Sequence, residues 1–172
     1  MRDDRASADE SWFRLGSGTV VKAGRMRHDL PFLTRSLRFL MMPQGDALRD
    51  ELDLKPGEIT VLGLVAENPG ISQNDLASTL VIKKSAVTKV VQGLEATGLI
   101  ERRRSTSDRR SNELRLTGAG TRKVEQFRAM SVQLHDTWFA GIPAAERERF
   151  FSVLFRLVAG LSARGGGGRD AP

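Results

Sequence analysis

The sequence predicts a mainly α-helical chain with one small β-hairpin, and three observations predict it. Apolar residues recur at helical spacing in six or so segments bounded by Pro, Gly and capping residues. Two short runs of strand formers, residues 99–102 and 113–116, flank a polar stretch rich in turn formers. Just before them, two short helical segments are separated only by a tight turn.

The first helix opens at Asp29-Leu30-Pro31, with Asp29 as cap and Pro31 tolerated in the first turn. Phe32, Leu33, Ser36, Leu37, Phe39 and Leu40 then recur at helical spacing until Pro43-Gln44-Gly45 closes it. A second helix starts near Pro56, carries Ile59, Leu62, Leu64 and Val65, and stops at Asn68-Pro69-Gly70. Ser72-Gln73-Asn74-Asp75 has the form of a capping box with Asp in place of Glu or Gln, opening a third helix with Leu76, Ala77 and Leu80 on one face. Residues 79–82 make the turn. The fourth helix runs from about Lys84 to Thr97, with Val87, Val90, Val91 and Leu94 as its buried stripe and Gly98 as a left-handed stop. The hairpin follows, its connection running from Ser105 to Asn112. Beyond Thr117-Gly118-Ala119-Gly120 a long helix carries Val124, Phe127, Met130, Leu134 and Trp138, and after Gly141-Ile142-Pro143 a last one carries Phe150, Phe151, Leu154, Phe155, Leu157, Val158 and Leu161.

These elements divide the chain into five stretches. Residues 1–26 show no sustained period and read as an arm that is mobile or docked on a partner. Residues 27–54 hold the first helix and its connection, 55–118 the short helices and hairpin, and 119–163 the last two helices. Residues 164–172 form a Gly-rich tail expected to be disordered.

Composition narrows the chemistry. With 40% apolar and 28% charged residues the chain has both core material and a charged surface. No apolar run reaches the roughly 18–20 residues that span a bilayer, and the opening residues lack a secretory signal, so no membrane partner and a cytoplasmic address are expected. Zero cysteines exclude disulfides, thiolate zinc sites and thiol redox sensing. The +6 formal charge is gathered between Lys83 and Arg110, where eight bases face three acids, and such a patch suits a polyanion.

Two short helices, a tight turn, and a second helix with a small-polar and basic face running into a basic hairpin form the plan of a winged helix-turn-helix. A helix entering the major groove of DNA needs an apolar back and a front of short hydrogen-bonding side chains. Lys84, Ser85, Thr88 and Lys89 supply that front, with Gln92 reaching further. Arg102, Arg103 and Arg104 on the first strand are placed to neutralise phosphates, while Arg109 and Arg110 at the tip suit the narrow minor groove. Asp108 is read as a brace that aims a neighbouring Arg. Blander readings stand beside these. The arginine run also discourages sheet pairing at a strand edge, and Ser85 and Thr88 also suit the start of any surface helix.

The ordered motifs Ser85-Ala86-Val87-Thr88-Lys89, Leu94-Glu95-Ala96-Thr97-Gly98-Leu99-Ile100-Glu101-Arg102, Asp108-Arg109-Arg110 and Leu114-Arg115-Leu116-Thr117-Gly118-Ala119-Gly120 resemble the multiple antibiotic resistance regulator (MarR) family. The likeness runs from Leu54 to about Arg122, with Leu54-Lys55-Pro56 opening the second helix; the outer helices match in length and position more than in sequence. The resemblance implies that Asp108 and Arg110 occupy the wing-tip Asp-x-Arg, with Arg110 in the minor groove. It also implies a homodimer built from the first helix and the last two. Such a dimer would grip a pseudo-palindromic double-stranded DNA operator and repress until a small-molecule effector releases it.

The aromatics of the last two helices exceed what the 55–118 lobe can cover, which also favours a partner chain. On the first helix, His28, Phe32, Arg35, Arg38 and Phe39 are candidates to bind an organic anion such as an aromatic carboxylate or its thioester; solvent-facing bases or dimer salt bridges are the alternative. His28 and His135 without a carboxylate cluster make no metal site, and no cofactor is expected. The chain has no nucleophile elbow, phosphate loop or paired-histidine helix, so an enzyme is not expected. The rival reading is a ligand-independent architectural winged-helix module that binds nucleic acid or protein.

Overall fold

The computed structural model describes residues 12–14, 16–104 and 112–165. The chain divides into two units, Met1–Asp46 and Ala47–Pro172.

In the first unit the stretch read as an arm holds regular structure. Strands β1 (Trp12–Arg14) and β2 (Val20–Lys22) pair antiparallel, Phe13 opposite Val21. Gly18, at φ +83°, takes the left-handed turn between them, so a hairpin forms where no period was visible. A 3₁₀ turn at Gly24–His28 leads into α1 (Leu30–Glu51), and the Phe32 amide donates to Asp29 Oδ1 at 2.7 Å, the expected cap. The rings of Phe13 and Phe32 meet edge to face at 6.0 Å.

Helix α1 does not end at Pro43-Gln44-Gly45 but runs through Pro43 to Glu51. An interior proline costs about 3 kcal/mol, largely through the lost N–H and a clash with the carbonyl four residues back. Phe39, whose carbonyl loses that donor, is exposed, so water can satisfy it. Continuing the helix buries Leu52 in the core and packs half-buried Leu48 against it; a fully buried leucine contributes about 1.5–3 kcal/mol, a half-buried one less. The Lys123 ammonium donates to the Leu52 carbonyl at 3.0 Å, satisfying an acceptor that the helix end leaves open.

The second unit holds α2 (Glu58–Glu67), α3 (Gln73–Leu80), α4 (Lys84–Ala96), strands β3 (Ile100–Arg104) and β4 (Asn112–Leu116), α5 (Gly118–Trp138) and α6 (Ala144–Gly165). Its core is made by Val61, Leu62 and Val65 from α2, Leu76 from α3, Val87, Val91 and Leu94 from α4, and Leu114 from β4, all essentially inaccessible to solvent. Val124 of α5 closes it. Helix α2 begins two residues later than the sequence suggested, because Gly57 turns left-handed and the Glu58 carboxylate folds back to accept the Lys55 amide at 2.8 Å. Ser72 caps α3 as expected, accepting the Asp75 amide at 3.1 Å while its hydroxyl donates to the Asp75 carboxylate at 2.7 Å.

Strands β3 and β4 are antiparallel, with Ile100 opposite Leu116 and Arg104 opposite Asn112. Backbone bonds from Gly70 N to Leu114 O (2.9 Å) and from Leu114 N to Ile71 O (3.1 Å) tie β4 to the α2–α3 connection. The hairpin base is therefore held on both sides. Among the described residues no helix is long and apolar enough to cross a membrane.

Candidate nucleic-acid interface

Helix α4 owes its orientation to its buried stripe. Val87, Val91 and Leu94 are fully buried and Val90 half-buried, which leaves Lys84, Ser85, Lys89 and Gln92 on the exposed side. Thr88 differs from its neighbours. It is half-buried, and its hydroxyl lies 2.9 Å from the Lys84 carbonyl and 3.4 Å from Gln73 Oε1 on α3. This hydroxyl is turned toward the packing of α3 against α4. Gln73 was not among the residues singled out from the sequence; its place in the first turn of α3, where a side chain can reach the next helix, was the available signal.

The three arginines of β3 do not act together, because successive side chains of a strand point to opposite faces. Arg102 and Arg104 share a face with Ile100 and lie opposite Leu114 and Asn112. Arg103 shares the other face with Glu101 and lies opposite Glu113. Arg102 donates from Nε to Glu95 Oε1 on α4 at 2.7 Å, both side chains less than a third exposed. Arg103 pairs with Glu101 at 2.7 Å, and Arg115 with Glu113 at 3.0 Å. Arg104 is exposed on the strand end that leads to the tip. Asp108, Arg109 and Arg110 lie outside the described residues.

The outer face of the hairpin, the end of α2 and the start of α5 enclose a cavity of about 530 Å³, with Val65, Pro69, Leu116 and Val124 as apolar wall and Arg103, Arg115 and Arg128 as cations. Those three guanidinium groups are ion-paired, Arg128 to Glu67. None of the candidate ligand residues lines it; they belong to the first unit. There the Arg35 guanidinium lies 5.7 Å from the centre of the Phe39 ring, Phe32 is half-buried against Phe13, Arg38 is exposed, and His28 accepts from Arg27 Nε at 2.9 Å. Among the described residues no group of three metal-ligating side chains converges.

The far end of the second unit is apolar and open. Phe139, Phe150 and Phe151 form a ring cluster with centroids 5.3–5.9 Å apart, and Arg147 reaches Asp136 at 2.9 Å, so α6 is tethered to the end of α5. Along the rest of α6, Val153, Phe155, Val158 and Leu161 are exposed, Phe155 by 74%.

Comparisons with known proteins agree with this architecture. A MarR family model matches residues 52–111. The chain is 34% identical over 102 residues to a putative transcriptional regulatory protein for the hcr operon of Thauera aromatica, covering 59% of this chain and 61% of that protein. The chain thus spans about three fifths of that relative's length. Among solved structures, a MarR-family transcriptional regulator from Rhodococcus sp. RHA1 superposes with a TM-score of 0.70 at 23% identity, over 77% of this chain and 96% of that one, a likeness of fold. A variant of MepR from S. aureus bound to an oligodeoxyribonucleotide matches at 25% identity with a TM-score of 0.53, over 76% of this chain and 96% of that one.

Proposed function

We propose that the chain is a member of the MarR family and, on that basis, a sequence-specific double-stranded DNA-binding transcriptional regulator, acting as a homodimeric repressor. The carrying observation is α4: a helix locked by three buried residues presents Lys84, Ser85, Lys89 and Gln92 to solvent and continues directly into a hairpin whose described end is Arg104. On this reading Ser85, Lys89 and Gln92 approach base edges, and Thr88 sets the pitch of α4 through Gln73. Lys84 and Arg104 meet phosphates. Arg109 and Arg110 serve the minor groove, with Asp108 as their brace. Arg102 spends its charge on Glu95 and Arg103 on Glu101, so both contribute to the set of the hairpin before they contribute to affinity.

Release by a small organic anion, an aromatic carboxylate or its thioester, completes the proposal. Its support is Arg35 poised over Phe39, with Phe32, His28 and Arg38 on or beside the same helix. A guanidinium next to an aromatic face is suited to a flat carboxylate. The ligand acts only if it binds the DNA-incompetent arrangement more tightly than the competent one.

The test is competition binding with duplexes enriched from a random-sequence library. A regulator should prefer its enriched duplex over random DNA by roughly 10³ or more. An architectural binder would show little preference, and that outcome would replace this reading with the other. Arg110→Ala should weaken binding of the enriched duplex by about five- to 150-fold, about 1–3 kcal/mol for a specific contact, while the oligomeric state stays the same. Unchanged affinity in a gel shift would remove Arg110 from the interface.

A further inference from the structure

We propose that Val81, in the turn between α3 and α4, is a base-contacting residue whose exposed isopropyl group packs against a thymine 5-methyl in the major groove. The inference rests on the reading of α4 as the DNA-facing helix.

Helices α3 and α4 end in the same motif. After α4, Gly98 N donates to Glu95 O at 3.0 Å and Leu99 N to Leu94 O at 2.8 Å; after α3, Val81 N donates to Ser78 O at 3.3 Å and Ile82 N to Ala77 O at 3.2 Å. This closure requires a left-handed residue at the first of the two positions, and glycine takes it without steric penalty. Gly98 does so at φ +70°, and Leu99 then turns into the core at 9% exposure. Val81 adopts φ +55° instead, a conformation that crowds a β-branched side chain. At the other left-handed positions among the described residues the sequence places glycine or Asp53, whose short polar side chain tolerates the conformation.

Packing does not offset the strain. Val81 is 69% and Ile82 44% exposed, so the fold gains little burial from keeping an aliphatic group there. Strain held without a packing return points to a function outside the folded chain. Its neighbours identify the occupant. Lys83 and Lys84 follow directly at the start of α4, with Ser85 on the same exposed turn, so the aliphatic pair is continuous with the basic and small-polar face assigned to DNA. The apolar group that the major groove offers to such a side chain is the thymine methyl.

The experiment uses the full chain and its enriched duplex, replacing each thymine in turn with deoxyuridine, which removes only the 5-methyl. One position per half-site should cost the wild-type chain about fourfold in affinity, the worth of one buried methyl. Val81→Gly and Val81→Asn remove the contact from both half-sites, so each should lose about the square of that factor, about sixteenfold, on the unmodified duplex and be indifferent to that replacement. Both variants should melt about 2 °C higher than wild type, which separates a lost contact from a damaged fold. Wild-type affinity in both variants, or equal sensitivity of wild type and variants to every replacement, overturns the proposal. If the wild-type chain enriches no sequence at all, the DNA reading of α4 falls and this inference with it; if enrichment succeeds and Val81 is indifferent, only this inference falls.

Discussion

A single missing side chain fixes how α5 meets the hairpin. A Cβ built on Gly120 would stand 2.0 Å from the Leu99 carbonyl oxygen and 3.0 Å from its carbon, a contact with backbone that no rotamer change relieves. That carbonyl also accepts the Thr117 amide at 3.1 Å, while the Thr117 hydroxyl donates to Gly98 O at 2.6 Å and accepts the Gly120 amide at 3.1 Å. Helix start, strand start and the stop of α4 are thus joined through Gly98, Leu99, Thr117 and Gly120. Gly120→Ala should cost about 3 kcal/mol, at the upper end of overpacking penalties, because α5 must lift off Leu99. Urea unfolding should show a lower midpoint at unchanged slope, and a midpoint within error of wild type would mean that the close approach is not structural. The same Gly120 was read from the sequence only as part of a loop leading into a helix. Spacing reveals that a glycine is there, but not that a carbonyl lies over it.

Between elements, the Glu95–Arg102 pair couples α4 to the hairpin. Both side chains are partly buried, so the pair is less screened than an exposed one, and a double-mutant cycle of Glu95→Ala and Arg102→Ala should return a coupling of about 1 kcal/mol in stability. The DNA reading adds a second expectation. Arg104→Ala should reduce the slope of log affinity against log salt by about 1, as loss of a phosphate contact does, whereas Arg102→Ala should lower affinity and leave that slope unchanged. Equal slopes for both variants would return Arg102 to the phosphate-contacting set. The alternation that separates Arg102 from Arg103 was legible in the sequence, since strands have a period of two, yet a run of three arginines reads as one patch until a partner is known. Glu95 lies on another element seven residues earlier, and only the folded register brings it to Arg102. By contrast, the stripe Val87, Val91 and Leu94, the Ser72 cap and the Gly98 stop depend on local spacing and backbone conformation, and were readable directly. Pro43 misled for the opposite reason: its local penalty is real, but the gain from Leu48 and Leu52 comes from contacts that spacing does not display.

At the scale of the molecule, α6 poses the largest unanswered demand for burial. Phe155, Val158 and Leu161 recur at three-residue intervals on one side, each more than half exposed, and Val153 adds to the apolar surface. Such a stripe in water is what a second copy of the chain would cover, and stable interfaces of this kind bury about 800 Å² per partner. The lobe that carries α4 has its own core in Leu62, Leu76, Leu94 and Leu114, so charge placed on α6 should separate the copies without unfolding it. Phe155→Glu combined with Leu161→Glu should therefore reduce the sedimenting mass to that of one chain while far-UV circular dichroism is retained. Affinity for the enriched duplex should fall by about a hundredfold, because each half-site then loses the effective concentration that linkage to its twin supplies. Affinity for random DNA should change far less, since phosphate contacts of a single lobe persist. A doubly charged variant that still sediments as two chains would place the interface elsewhere, and a wild-type chain that sediments as one at tens of micromolar would remove the two-fold grip on which a pseudo-palindromic site depends.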